Sequence, residues 1–217
     1  NSYISDAQGN TLWSGTDLVQ AGYQFSFDPS SLSATELDRD SLSLGLRVKG
    51  ELSERARVEF NINQFDILKD VERSSRFHPR SPEHTTEGQI SAFDDSGWQT
   101  AEAKLTLTDF ALSGLELISG ARHENYELNL DVFESPNYLL GERGAYASRF
   151  GGKTRLNALF LQANWPINPL WDLSLGWRYE QFQSRDGYYS EHDPSSDALG
   201  LVAAPNADEY QSSPKLS

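Results

Sequence analysis

The 217-residue chain carries 18 Lys and Arg against 32 Asp and Glu, a formal net charge of −14, with no cysteine and no methionine. That composition rules out a disulfide framework and a thiolate metal centre, and it argues against a general nucleic-acid binder, since phosphate contacts need a cationic surplus. No run of about 18 apolar residues could form a membrane-spanning helix, yet a mean hydropathy of −0.58 says little about a spanning β-barrel, whose strands alternate and never look hydrophobic over a window.

Starting at Asn1 and lacking methionine, the chain reads as a mature chain or as a piece of a longer polypeptide. From Asp17 to Phe27, apolar Val19, Ala21, Tyr23, Phe25 and Phe27 alternate with polar residues, which predicts a strand ended by Asp28-Pro29-Ser30-Ser31. A polar connection of intermediate length runs to Asp40. Leu42, Leu44, Leu46, Val48 and Leu52 then alternate with Ser41, Ser43, Gly45, Arg47, Lys49, Glu51 and Ser53. After Glu54-Arg55 the pattern resumes with Ala56, Val58, Phe60 and Ile62 against Arg57, Glu59, Asn61 and Asn63. Two such runs across so short a connection predict an antiparallel hairpin whose apolar sets share one face.

Residues 66–97 form a polar stretch that predicts a long loop, of a length usually tied to function. Alternation returns with Trp98, Ala101, Ala103, Leu105 and Leu107, then turns at 109–114. Leu115 and Leu117 open the next strand, but Tyr126, Leu128, Leu130 and Val132 have the opposite parity. One extra residue near Gly120 to Glu124 would restore the face, so a β-bulge is expected there. Residues 134–154 again read as irregular. Leu159, Leu161, Ala163 and Trp165 mark a strand that turns at Pro166-Ile167-Asn168-Pro169 into Asp172 to Phe182, where Leu173, Leu175, Trp177 and Tyr179 oppose Ser174, Gly176, Arg178 and Glu180. A third long polar segment, 183–213, precedes Ser213-Pro214-Lys215-Leu216-Ser217, which reads as the start of a truncated strand.

Short connections near Glu54, Ala111 and Asn168 alternate with long ones. This is the asymmetry of an up-and-down barrel, with tight turns at one end and long loops at the other. Aromatic residues near strand ends, among them Trp165, Trp171, Tyr23, Phe25 and Phe27, suit interfacial girdles. The fold class predicted is all-β, an antiparallel up-and-down meander forming part of a transmembrane β-barrel. It has about seven strands plus a truncated one over residues 1–217 and no internal domain boundary. Polar strand residues such as Arg47, Arg57, Glu59, Lys104 and Arg178 would face the lumen. The alternative from the same alternation is a soluble or surface-attached β-sandwich used for adhesion, whose apolar faces would be buried against a second sheet.

Ala158-Leu159-Phe160-Leu161-Gln162-Ala163-Asn164-Trp165, followed by Trp171-Asp172-Leu173-Ser174-Leu175-Gly176-Trp177-Arg178-Tyr179-Glu180, resembles paired barrel strands of TonB-dependent outer-membrane receptors. Gly120-Ala121-Arg122-His123-Glu124-Asn125-Tyr126 resembles an earlier strand of that family, and the Ser-Pro-Lys at 213–215 the strand that follows. The likeness is specific from about residue 115 onward. Large plugged transporters have ~22 strands, so the resemblance implies an internal portion of a barrel, with the plug and both ends of the receptor outside this chain. It also implies location in the outer membrane of a Gram-negative bacterium and import of a scarce external ligand of the siderophore, haem, cobalamin or carbohydrate class. The implied partners are that small ligand (an iron chelate among the candidates), the lipid bilayer, and TonB acting through the plug. No nucleic acid is expected.

No catalytic motif is present: there is no Gly-x-Ser-x-Gly elbow and no phosphate-binding glycine loop. The expectation is a non-enzymatic chain with no cofactor and no metal. Asp186, Glu191 and Asp193 could together offer oxygen ligands to a hard cation, within a segment that reads as an acidic hydrophilic loop. Ligand recognition is expected on the long loops, where rigid scaffolds usually carry it. The candidates are His78, His84, Tyr138, Arg143, Tyr146, Arg185, Tyr188, Tyr189 and His192, since aromatics and Arg dominate binding hot spots.

Overall fold

The computed structural model describes residues 4–6, 8–20, 22–28, 33–192 and 199–217, without the side chains of Gln20, Glu191 and His192. Eleven strands are present among these residues: β1 Gly15–Gln20, β2 Tyr23–Phe27, β3 Thr35–Ser53, β4 Ala56–Ser75, β5 Gly88–Ala92, β6 Gly97–Thr108, β7 Glu116–Ser135, β8 Tyr146–Asn168, β9 Trp171–His192, β10 Leu199–Ala203 and β11 Ala207–Leu216. No helix among the described residues is long and apolar enough to cross a membrane, which leaves crossing by strands open.

β3 to β11 form one antiparallel sheet. β5 and β6 occupy successive stretches of a single position between β4 and β7. β10 and β11 likewise share the far side of β9. The meander is the predicted one, with the tight turns after Ser53, Thr108 and Asn168 at one end. The turn after Thr108 is closed by Asp109, whose carboxylate accepts from the Gly114 amide at 2.8 Å.

Three expectations fail. The strand read over 17–27 is a hairpin, β1 pairing with β2 in a separate two-stranded sheet. Gly22, at φ 82°, supplies the left-handed backbone that the reversal between Gln20 and Tyr23 requires. Tyr23, Phe25 and Phe27 therefore do not belong to the aromatic fringe of the large sheet. The bulge predicted near Gly120 to Glu124 is also absent. β6 and β7 pair without a shift from Thr108↔Glu116 to Gly97↔Glu127. β7 and β8 do so from Glu116↔Asn164 to Val132↔Ser148. Tyr126, Leu128, Leu130 and Val132 simply lie on the face that carries Arg122 and Glu124. The polarity of the two faces reverses along the strand while the backbone stays regular.

The three segments read as long loops are in good part strand. β4 runs to Ser75, β8 begins at Tyr146 and β9 continues to His192. Each extension keeps its ladder partner: Val71 with Ala92, Leu130 with Phe150, Ser190 with Leu201. A register shift interrupts β8 and β9 between Lys153↔Arg185 and Gly151↔Tyr188, where Asp186 takes φ 53°. This bulge lies at the foot of the extension of β9. A small core of Val71, Ile90 and Ala92 is buried where the extension of β4 pairs with β5, beside buried Phe133 and Tyr138.

Candidate functional site: the two walls of the sheet

The pairing register sorts side chains onto two faces. One carries Leu44, Leu46, Val48, Val58, Phe60, Ile62, Leu105, Leu107, Leu159, Leu161, Leu175 and Trp177 in adjoining rows. No second sheet covers it among the described residues: Leu46 is 60%, Ile62 54% and Leu159 54% exposed. That removes the sandwich alternative, which needed this face buried. Exposing so large an apolar surface to water would be strongly unfavourable, so its natural surroundings are hydrocarbon.

The upper edge of the apolar band gives its inclination. The row starting at Leu42 passes through Asp66, Gly97, Glu127 and Lys153 and ends at Arg185. The last apolar residue on this face is Leu42 on β3, Ile62 on β4, Ala101 on β6, Ala121 on β7, Leu159 on β8 and Tyr179 on β9. These lie zero, four, four, six, six and six residues below that row. At about 3.3 Å per residue and about 4.8 Å between strands, the band drops about 20 Å over five steps, an inclination of about 40°. Strands of membrane barrels tilt by about 35–45°. Along β9 the band spans Trp171 to Tyr179, the ~9–11 residues a tilted strand needs to cross. Trp177, Tyr179 and Tyr210 stack at its upper margin, with centroids 6.2 and 6.3 Å apart.

The opposite face at band level is charged. Glu59, 7% exposed, accepts from Arg47 at 2.6 Å and from the Asn61 amide at 3.0 Å, with the Lys49 and Lys104 ammonium groups at 3.6 and 3.8 Å. Arg122 bonds Glu124 and reaches Glu102 at 3.5 Å, and Arg178 holds Glu180 at 2.6 Å. Above the band this face keeps Glu124, which accepts from the Tyr126 hydroxyl at 3.1 Å, and the Arg39–Asp70 pair farther up, and between them it turns aromatic. Phe65, Trp98 and Tyr126 stack across β4, β6 and β7 with centroids 6.0 and 6.5 Å apart, followed by Leu128, Leu156 and Phe182 on the same face. The hydropathy alternation gives no direct sign of this aromatic wall. The parity change after Glu124 was its signal, misread as a bulge.

The predicted recognition residues are scattered by the structure. His78, His84, Tyr138 and Arg143 are on the connections 76–87 and 136–145, whereas Tyr146, Arg185, Tyr188, Tyr189 and His192 are in strands. The physical reason is that each hairpin keeps pairing beyond the apolar band with its polarity inverted, which a hydropathy pattern reads as loop. Arg143 and Tyr146 both pack on Phe133: Arg143 lies 4.9 Å over its ring, the Phe133 and Tyr146 rings are 4.6 Å apart, and Arg149 lies 4.2 Å over Tyr146. His84 meets Tyr138 edge-on at 6.3 Å, and His78 stacks on Trp13 at 4.7 Å. Tyr188 donates to Asn129 at 3.2 Å on one face, and Tyr189 takes the other. Burial raises the pKa of Tyr188, as does the nearby Asp131 carboxylate. Arg185 pairs with Asp208 and donates to the Ala207 carbonyl at 2.7 Å. His192 pairs through its backbone with Leu199. Asp193 and the side chain of Glu191 lie outside the described residues, and among those described no group of three or more acidic or histidine side chains could hold a metal.

A single antiparallel sheet with an inclined lipid-sized band on one face and a charged wall on the other is the wall of an outer-membrane-type β-barrel. The chain belongs to the TonB-dependent receptor barrel family: the family described as TonB dependent receptor-like, beta-barrel matches residues 1–217. Comparison with curated proteins and with solved structures gives no match. Members of this family typically reside in the Gram-negative outer membrane and work with an external ligand and TonB.

Proposed function

We propose that this section of barrel wall serves an importer in the outer membrane of a Gram-negative bacterium, taking up a scarce ligand of the siderophore, haem, cobalamin or carbohydrate class. TonB acts through a plug that packs on the charged wall. The observation that carries the reading is the reversal of the faces. Opposite the lipid side, the wall is charged where a plug would sit and aromatic above it, at Phe65, Trp98 and Tyr126. An aromatic wall favours a ligand with planar or apolar surface, because stacking rewards such surface. No catalytic step is assigned to the chain.

The test uses the full-length receptor on whole cells, with haem, cobalamin, a ferric catecholate and a maltooligosaccharide as probes. Trp98→Ala and Tyr126→Ala should weaken binding of one probe about fivefold or more, the loss of an aromatic anchor. Leu161→Ala, on the lipid side, should not. Unchanged affinity for every bound probe in both variants would remove the aromatic wall from recognition.

A further inference from the structure

The lipid-side face holds a feature that an apolar band does not require. On β6 and β7 the side chains at Ala101, Ala103 and Ala121 are short, while Phe60 and Ile62 rise on one flank and Leu159 and Tyr179 on the other. Between them lies a trough of about 540 Å³. A second hollow of about 470 Å³ prolongs it toward the turns, past Leu105 and Ser119.

The head of the trough is polar and ordered. Arg155 donates to Asn125 Oδ1 at 3.1 Å, and the Asn125 amide meets His123 Nε2 at 2.9 Å. His123 Nδ1 meets Asn157 Oδ1 at 2.6 Å. Asn157 donates to Gln181 at 3.4 Å and Gln181 to Tyr210 at 3.1 Å. With the proton on His123 Nδ1, every group donates to the next, from Arg155 on β8 to Tyr210 on β11. The chain follows the upper edge of the band, where headgroups begin. A larger polar hollow of about 1080 Å³ opens directly above, lined by Lys153, Arg155 and Arg185 and by five carboxylates, those of Asp66, Asp94, Asp95, Glu127 and Asp186. Lys153 is held by Glu127 at 3.2 Å and Arg185 by Asp208. Arg155 is held by an amide and pairs with no carboxylate among the described residues. It is the cation of this cluster left to meet an external anion.

We propose that this face seats one anionic amphiphile of the outer leaflet, with its acyl chain in the trough and its phosphate-bearing headgroup on Arg155. The trough is continuous with the lipid-facing band, and an arginine fork matches two phosphate oxygens at once. The amide chain fixes Arg155 at the depth where such a phosphate lies. This inference rests on the barrel reading above.

Native mass spectrometry of the full-length receptor, exchanged into detergent with phosphatidylglycerol or phosphatidylcholine, reads the site. The receptor should retain one phosphatidylglycerol in preference to phosphatidylcholine. Arg155→Gln should reduce that retention about tenfold, the loss of one charge-assisted contact. Arg155→Lys should lose less, and Ala103→Leu, which fills the trough, should lower retention of both lipids. Millimolar inorganic phosphate should not displace the lipid, because the acyl chain contributes to binding. Equal retention of the two lipids, or unchanged retention in folded Arg155→Gln, overturns the proposal. A bimane label at Leu161→Cys in vesicles containing brominated lipid separates the two readings. Quenching without headgroup preference ends this inference alone, whereas absence of quenching ends the barrel reading itself.

Discussion

Leu42 on β3 and Arg185 on β9 lie on the same row of the sheet and on the same face, yet Leu42 closes the apolar band and Arg185 stands six residues beyond it. The difference is the tilt of the strands against the plane of the membrane. In an untilted sheet the two positions would meet the same solvent.

That relationship is open to labelling, since the chain has no cysteine of its own. Leu44 and Gln183 share the next row, through Gln64, Gln99, Asn125 and Arg155. In the receptor reconstituted in vesicles, Leu44→Cys should resist a water-soluble maleimide and Gln183→Cys should react. Equal reactivity of the two would mean that the band is not inclined.

Ala163 sits midway along the band on β8, paired with Leu175 and flanked by Leu161 and Trp165 on its own face. Ala163→Arg should cost about 2–4 kcal/mol of folding stability in lipid, the range for a cation near the midplane. Gln162→Arg, directed to the opposite wall, should cost far less. Refolding titrations in vesicles compare the two, and similar losses would contradict the assignment of faces.

Glu59 gathers Arg47, Lys49, Lys104 and Asn61 from three strands. Removing its carboxylate leaves three cations repelling one another on a single patch of wall. Glu59→Ala should therefore lower the temperature at which the folded band disappears on heat-modifiable gels, and by more than Lys49→Ala, which removes one partner of several. The reverse order would show that the wall does not depend on Glu59 as its hub.

Asp208 on β11 predicts a pH effect beyond the band. The Gln183 amide, followed by the Arg185 guanidinium, holds its carboxyl below the usual 3.8. A depressed folded-state pKa stabilises above the unfolded value, and the stabilisation fades as pH falls through the folded one. Hydrogen exchange at Ala207 to Tyr210, corrected for its intrinsic pH dependence, should show constant protection from about pH 7 to 5 and a loss below about 4. Asp208→Asn should abolish that loss. An onset at pH 5 or above would assign the effect to another group.

The alternation of Leu44, Leu46, Val58, Phe60, Leu105, Leu161, Leu175 and Trp177 with charged neighbours, and the short turns at one end, were open to reading residue by residue. Side chains change face with each residue of a strand, so a local pattern carries that information. From the sequence alone these signals led to the meander, the lipid-facing set and the charged wall. Conditions between strands were decided by the tertiary structure, because they depend on register. Pairing showed that Tyr126, Leu128, Leu130 and Val132 change face without a bulge, and that Tyr146, Arg185, Tyr188, Tyr189 and His192 belong to strands running past the band. It also set the inclination of the band, the partners of Glu59, and the hydrogen-bond chain from Arg155 to Tyr210. Those groups lie on separate strands, brought together only by hydrogen bonding across the sheet, and no window of sequence holds them at once.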